Sequence, residues 1–241
     1  MVLTKLHTAR VISIQEPLPE IVEELGVESP EGLTAYITRV SNPGNQSSES
    51  IGGLIRYCCK HGHWSILEHI NMTMEILTTR DISAQICRHR SFTFQEFSQR
   101  YATTDAFELP YEVPQLRMQD SKNRQKSIVV DTDEVIKFDG EAFTIDEIRT
   151  ILEFHLKQTY SLYQKLLNAG FAKECARRIL PISSTTKIYM TGNIRSWLFY
   201  IKSRNTTDGK AQVEHNWVAD ECEKFFKQHF PTIYDATFLE Q

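Results

Sequence analysis

Thirteen residues concentrate most of the chain's chemistry: Arg88-His89-Arg90-Ser91-Phe92-Thr93-Phe94-Gln95-Glu96-Phe97-Ser98-Gln99-Arg100. Guanidinium forks and hydroxyls in one short run can grip a phosphate, Arg by bidentate donation and Ser by a single directed bond. The interleaved Phe92, Phe94 and Phe97 can be core or can wall a flat heterocycle. A plainer reading also stands, in which Arg88 to Arg90 close a helix whose C-terminal dipole favours cations. Gln85 lies three residues before Arg88, so an amide and a guanidinium would share one helix face.

Other candidates are scattered. His61, His63 and His69 invite a metal reading, but no carboxylate or cysteine cluster completes a ligand set, so no metal is expected. Asn193 and Arg195 open a helical pattern, where free N–H groups and the dipole favour an anion; an ordinary capped helix with an exposed arginine accounts for them equally. His155 reads as a structural histidine near an apolar helix face. Ser98 has no evident neighbouring base to make it a nucleophile. Rossmann glycines, a P-loop, a G-x-S-x-G elbow and H-E-x-x-H are all missing.

Composition sets the frame. The chain of 241 residues is 41% hydrophobic and 24% charged, ordinary for a globular protein with one elaborated domain. A net charge of −4 argues against a nucleic-acid surface and favours a local basic site for a small anion. The five cysteines lack scaffold or metal spacing, and neither a signal peptide nor a membrane-length apolar run is seen; the expectation is a cytoplasmic protein with no membrane association.

The elements that must position these residues follow from periodicity. Val11 to Ile14 continue an opening strand, and Gly32 to Ser41 is an ambiguous short helix before the loop Ser41 to Asn45. Ser48 or Ser50 caps a helix with Ile51, Leu54, Ile55, Cys58 and Cys59 inward. Alternation over Ile70 to Ile76 predicts a half-buried strand, and Asp81 is expected to N-cap the helix leading to Arg88. Residues 105–143 form an excursion, in which Ser127 to Asp131 and Val135 to Asp139 pair as a hairpin. Thr144-x-x-Glu147 is a capping box opening the longest helix, with Ile148, Ile151, Leu152, Leu162, Tyr163, Leu166 and Leu167 as a continuous apolar face. A short helix from Ala172 to Ile179, a strand from Ile182 to Thr191, a helix capped by Asn193 and a last helix from Ala211 to Phe230 complete the chain.

Five landmarks resemble the flavin-dependent thymidylate synthases: His61-Gly62-His63 with Glu68-His69; Gln85 before Arg88-His89-Arg90; Glu96-x-Ser98-x-Arg100-Tyr101; Arg177 before Leu180-Pro181; and Asn193-x-Arg195-Ser196 leading to Arg204 and Ala211-Gln212. The resemblance implies an α/β chain of α+β type, an antiparallel sheet flanked by helices, in a homotetramer with shared active sites. It implies FAD, with NADPH and methylenetetrahydrofolate as cosubstrates, converting dUMP to dTMP without an obligatory enzyme nucleophile. On that likeness, dUMP is held by Gln85, Arg88, Glu96, Phe97, Ser98, Gln99, Arg100 and Arg204, joined by Arg177 of a neighbouring subunit. FAD contacts Arg88, His89, Arg90, Glu96, Asn193, Arg195 and Phe199, with Ser41, Ser65 and Glu68 as additions; His63 lies on the folate side, and Arg204 polarises the uracil. Two positions depart from the family pattern. Phe199 stands where a polar residue is often found, and Asn205 to Lys210 replaces a short run containing histidine, leaving Asp208 or Lys210 as the flavin contact.

Overall fold

The computed structural model describes residues 6–46, 48–206 and 211–239. Its centre is a four-stranded antiparallel sheet in the order β1-β2-β8-β3, formed by β1 (Thr8–Ile14), β2 (Asn71–Thr79), β3 (Thr93–Glu96) and β8 (Thr185–Asn193). Four minor strands come between β3 and β8. The long central pair β2 and β8 is in register from Asn71 opposite Asn193 to Thr79 opposite Thr185.

The alternation seen in the sequence decides the faces. Met72, Met74 and Ile76 are buried beside Ile188 and Met190. On the other face Thr73 Oγ1 lies 2.9 Å from Thr191 Oγ1. There Glu75 is compensated by Arg10 at 2.8 Å, Tyr189 Oη at 2.6 Å and Lys187 at 3.4 Å. The apolar face is covered by α7 (Ile194–Arg204), which buries Ile194, Trp197, Leu198 and Ile201 as its spacing predicts. Beside it α8 (Val213–His229) packs on β1 and on α7, contributing Val218, Cys222 and Phe226, and α3 (Ile51–Lys60) adds Ile55, Cys58 and Cys59. This is the α+β arrangement expected.

Before the sheet lie α1 (Pro19–Leu25) and α2 (Pro30–Thr38), the latter N-capped by Ser29. After β2 comes α4 (Arg80–Ile86); its N-cap position is Thr79, not Asp81, which sits in the first turn and accepts from Thr79 Oγ1 at 2.5 Å. Two hairpins occupy the excursion: β4 (Arg117–Gln119) with β5 (Ser127–Val129), and β6 (Val135–Phe138) with β7 (Glu141–Thr144). The expected pairing of 127–131 with 135–139 is therefore wrong. The second segment instead closes with 141–144 across the two-residue turn Asp139–Gly140, both at positive φ, and the first pairs back to 117–119.

The Thr144–Glu147 capping box opens α5 (Ile145–Asn168) as expected. Its apolar face is not continuously buried: Ile145, Ile148 and Tyr163 are, whereas Phe154 and Leu162 are 57% and 50% exposed. His155, read as structural, is on the exposed side as well. Next is the short α6 (Lys173–Ala176), continuing as a 3₁₀ turn over Arg177–Ile179. The chain also runs beyond the predicted last helix. α9 (Pro231–Tyr234) and a π-turn over Asp235–Leu239 return Ile233, Tyr234 and Thr237 to the interior.

Candidate active site

The basic segment occupies the turn between α4 and β3. Backbone bonds from Arg88 N to Gln85 O (3.2 Å), His89 N to Ile86 O (3.0 Å) and Phe92 N to His89 O (3.3 Å) wind it tightly. Phe92 nails the turn to the core, edge-on to Trp197 at 4.9 Å. A Cβ on Gly192 would fall 2.4 Å from the Phe92 ring, so only glycine in β8 lets this ring close down. Of the two readings left open, Phe92 is core; Phe94 packs partly against it, and Phe97 meets Phe107 at 4.7 Å. With Phe92 and His89 turned inward, Arg88 and Arg90 are turned out to solvent. Among the described residues neither has a counter-ion.

His89 backs Arg204. The arginine's Nε–H donates to His89 Nε2 at 2.9 Å, so the imidazole is neutral and carries its proton on Nδ1. Burial first, then the adjacent Arg204 charge, push the His89 pKa down to about 4. His215 of α8 repeats the pattern: burial, Arg204 and His89 lower it to about 3, and its Nε2 lies 3.2 Å from Tyr200 Oη. A guanidinium held by neutral His89, whose ring is packed against Tyr200 and His215, keeps its direction and its charge. Among the described residues its Nη1 and Nη2 have no partner. Neither Tyr200 nor His215 was among the residues that the sequence pattern singled out. Their signal was spacing: Tyr200 lies four residues before Arg204 on α7, and His215 lies three after Gln212.

Glu96 is held by residues outside the motif. Its Oε1 accepts from Arg80 (2.7 Å), Ser83 Oγ (2.7 Å) and Thr186 Oγ1 (3.0 Å). All three donors converge on that one oxygen. After it, Ser98 turns the chain by accepting from Tyr101 N and Ala102 N through its carbonyl. Gln99 is buried with no partner for Nε2, while Arg100 makes an open 3.4 Å pair with Glu174. That pair brings α6, and the half-buried Arg177 after it, alongside the Ser98–Arg100 turn within one chain. Gln85 Nε2 donates to Gln212 Oε1 at 2.7 Å, joining the second landmark to the last.

A second group forms at the N-terminus of α7. Asn193 Oδ1 accepts from Ser196 N at 2.9 Å, so the residue is an N-cap as predicted. Arg195 pairs with Glu68 and lies 5.8 Å over the Phe199 ring, which meets Trp64 edge-on at 5.6 Å. Ser65 is exposed in the same 3₁₀ turn as Glu68. Ser41 is placed elsewhere, in a cavity of about 540 Å³ with Asn42, Asn45 and Ser50. His63 is exposed beside Tyr57 and His61, each ring 6.3 Å away. No group of three His, Cys, Asp or Glu able to hold a metal occurs among the described residues. Asp208 and Lys210 lie outside them.

The family model described as thymidylate synthase complementing protein matches residues 21–232. A probable flavin-dependent thymidylate synthase of Paramecium bursaria Chlorella virus 1 is 44% identical over 95% of this chain and 98% of its own. The chain belongs to the flavin-dependent thymidylate synthase family. A second relative so named, from Synechocystis sp., is 44% identical over 94% of this chain and 97% of its own. In fold, the chain superimposes on a UMP/dUMP methylase, PolB from Streptomyces cacaoi bound with 5-Br dUMP. The TM-score is 0.74 at 22% identity, covering 95% of this chain and 93% of the other. The donor set fits the flavin dinucleotide that gives the family its name. Arg88 and Arg90 are exposed charges with no counter-ion among the described residues, so their donors are open to an anionic group, and the Phe199–Trp64 pair lies with Arg195 at the start of α7.

Proposed function

We propose that this chain carries out the reductive methylation of dUMP: dUMP, methylenetetrahydrofolate, NADPH and a proton give dTMP, tetrahydrofolate and NADP⁺. Family membership supports a flavin-dependent methylating enzyme. The observation that carries the assignment to this site is Arg204, aimed by neutral His89 and with Nη donors left open among the described residues.

Carbon–carbon bond formation at uracil C5 needs electron density there. Arg204 donates to the pyrimidine and stabilises the charge that builds on its oxygen as C5 attacks the one-carbon unit. Ser98 and Arg100 hold the substrate phosphate, with Arg177 of a neighbouring subunit; Gln85, Arg88 and Glu96, with Phe97 and Gln99, complete the nucleotide site. Arg88, Arg90, Asn193 and Arg195 hold FAD, His89 acts through Arg204, Glu96, Phe199, Ser41, Ser65 and Glu68 line that cofactor's side, and His63 faces the folate. Bound FAD, reduced by NADPH, supplies the hydride that completes the methyl group.

The working assembly is a homotetramer of single-domain chains spanning 1–241, each with its excursion at 105–143, in the cytoplasm. The half-exposed Phe154 and Leu162 of α5 support an association face. Among the described residues the Ser98 hydroxyl bonds only the Arg100 N–H and no base, which supports catalysis without an enzyme nucleophile. Ser98→Ala is therefore expected to retain measurable dTMP formation with weakened dUMP affinity; complete loss with normal affinity would refute that.

The visible spectrum of the protein with FAD, before and after NADPH and with and without dUMP, tests the whole assignment. A bound flavin that bleaches, with a reduction rate that responds to dUMP, and dTMP formation once methylenetetrahydrofolate is added, are expected. A folded protein that binds neither FAD nor dUMP would overturn it.

A further inference from the structure

An unbroken polar relay joins the excursion to the nucleotide site. Arg117 of β4 makes a 2.5 Å ion pair through Nη2 to Glu214 Oε1 at the start of α8, with the two side chains only 10% and 8% exposed. Glu214 Oε2 accepts from Gln212 Nε2 at 3.0 Å, and Gln212 Oε1 accepts from Gln85 Nε2 at 2.7 Å. The relay passes along the wall of a cavity of about 470 Å³ that Arg117 and Gln212 both line.

Its direction is dictated by charge. An ionised carboxylate only accepts, so the Gln212 atom facing Glu214 must be the amide nitrogen. That turns the Gln212 carbonyl towards Gln85, which must answer with its own nitrogen, leaving Gln85 Oε1 as its open acceptor. Burial alone would push the Glu214 carboxyl up; bonds from Arg117, its own backbone N–H and Gln212, with the Arg117 charge, hold it below its ordinary value. A buried ion pair contributes little net stability over apolar packing, so its use here is in fixing orientation.

We propose that Arg117 is a positioning residue for nucleotide recognition: through Glu214 and Gln212 it fixes the polarity of Gln85, which then reads a hydrogen-bond donor of the substrate. The proposal rests on Gln85 belonging to the dUMP site. The donor is either the sugar 3′-hydroxyl or the uracil N3–H, the two on a deoxyuridine nucleotide that an amide oxygen can accept from.

The test measures dUMP affinity and the KM and kcat of dTMP formation for the FAD-loaded enzyme and for Glu214→Gln, Arg117→Met and Arg117→Lys. Glu214→Gln keeps the shape but can turn either atom to Gln212, so polarity is lost without a cavity. KM for dUMP is expected to rise about 10-fold in Glu214→Gln and Arg117→Met, with kcat within about twofold, FAD affinity unchanged, and Arg117→Lys restoring most of the loss. Dideoxyuridine monophosphate and N3-methyl-dUMP then distinguish the two donors: the analogue lacking the group that Gln85 reads will bind wild type and Glu214→Gln alike. Equal KM values for wild type and Glu214→Gln, or the same loss for dUMP and both analogues, would overturn the relay. Wild-type enzyme that binds FAD but no dUMP would instead overturn the substrate assignment on which it rests.

Discussion

Strands β2 and β8 run antiparallel for nine residue pairs, and their alternate side chains Met72, Met74, Ile76, Ile188 and Met190 are buried. Strands β4 and β5 are also antiparallel, but for three pairs, and Met118, Ile128 and Val129 stay 43%, 46% and 67% exposed. The same local geometry is thus stabilised in two ways. The central pair has α7 on one face and gains from apolar burial. The excursion lacks such a cover and is fastened at individual polar points: His7 to Glu112 at 3.0 Å, Arg117 to Glu214, Asp105 to Tyr160 and Gln164, and the Leu109 and Pro110 carbonyls to Thr185. A two-stranded ribbon is marginal by itself, so its order is borrowed from these anchors.

The sharpest way to separate the two regions is to remove packing from the first. Trp197 is fully buried, touches Phe92 and Tyr200, and donates its indole N–H to Met72 O at 3.0 Å. Trp197→Ala is expected to cost about 3–5 kcal/mol in urea unfolding. A loss below about 1 kcal/mol would mean that the sheet does not depend on its α7 cover.

That contrast also explains what could be read from the residues alone. Period-two and helical spacing are written by burial against one face, so β2, α7 and the Thr144 capping box were legible. Asn193 was legible as a cap because its side chain bonds locally to Ser196. The excursion's pairing was not, because its strands bury no face and no pattern records their partners. Glu96 was named, but Arg80, Ser83 and Thr186, which hold it, come from α4 and β8 and meet only in the fold. The apolar face of α5 was legible as a pattern, but the pattern does not say what covers it, and this chain buries only part of it.

Acid tests a different part of the core, the histidine pair behind Arg204. An unfolded histidine takes up a proton near pH 6.5, whereas folded His89 resists until about 4 and His215 until about 3. The unfolded state therefore binds more protons over this window, and stability is full above about pH 6.5 and falls as pH drops towards 4. Allowing for partial solvent screening, the share of that loss due to His89 is about 2 kcal/mol. His89→Asn should flatten the slope of unfolding free energy against pH between 6.5 and 4; an unchanged slope would refute a neutral buried pair.

Glu112→Gln addresses the excursion directly. It removes the carboxylate that faces His7 Nε2 while Thr78 Oγ1 stays 2.9 Å from Nδ1. The expected cost is about 1 kcal/mol in global unfolding, with a larger increase in protease cleavage within residues 105–143. Equal protease resistance would show that the excursion does not rely on this anchor.

The smallest effect on the folded chain is expected at Phe154, more than half exposed on α5. A substitution at such a site changes protomer stability by no more than about 0.5 kcal/mol. Phe154 and Leu162 nevertheless belong to an apolar helix face that this chain leaves half uncovered, and an uncovered stripe of this kind suits a second copy. Phe154→Asp should leave urea unfolding of the isolated chain nearly unchanged while shifting sedimentation from the proposed tetramer to smaller species, because a carboxylate buried without a partner opposes association. Were a tetramer to form regardless, α5 would be solvent-facing in it, and the proposed subunit contacts that bring Arg177 to a neighbouring site would have to be built from another face.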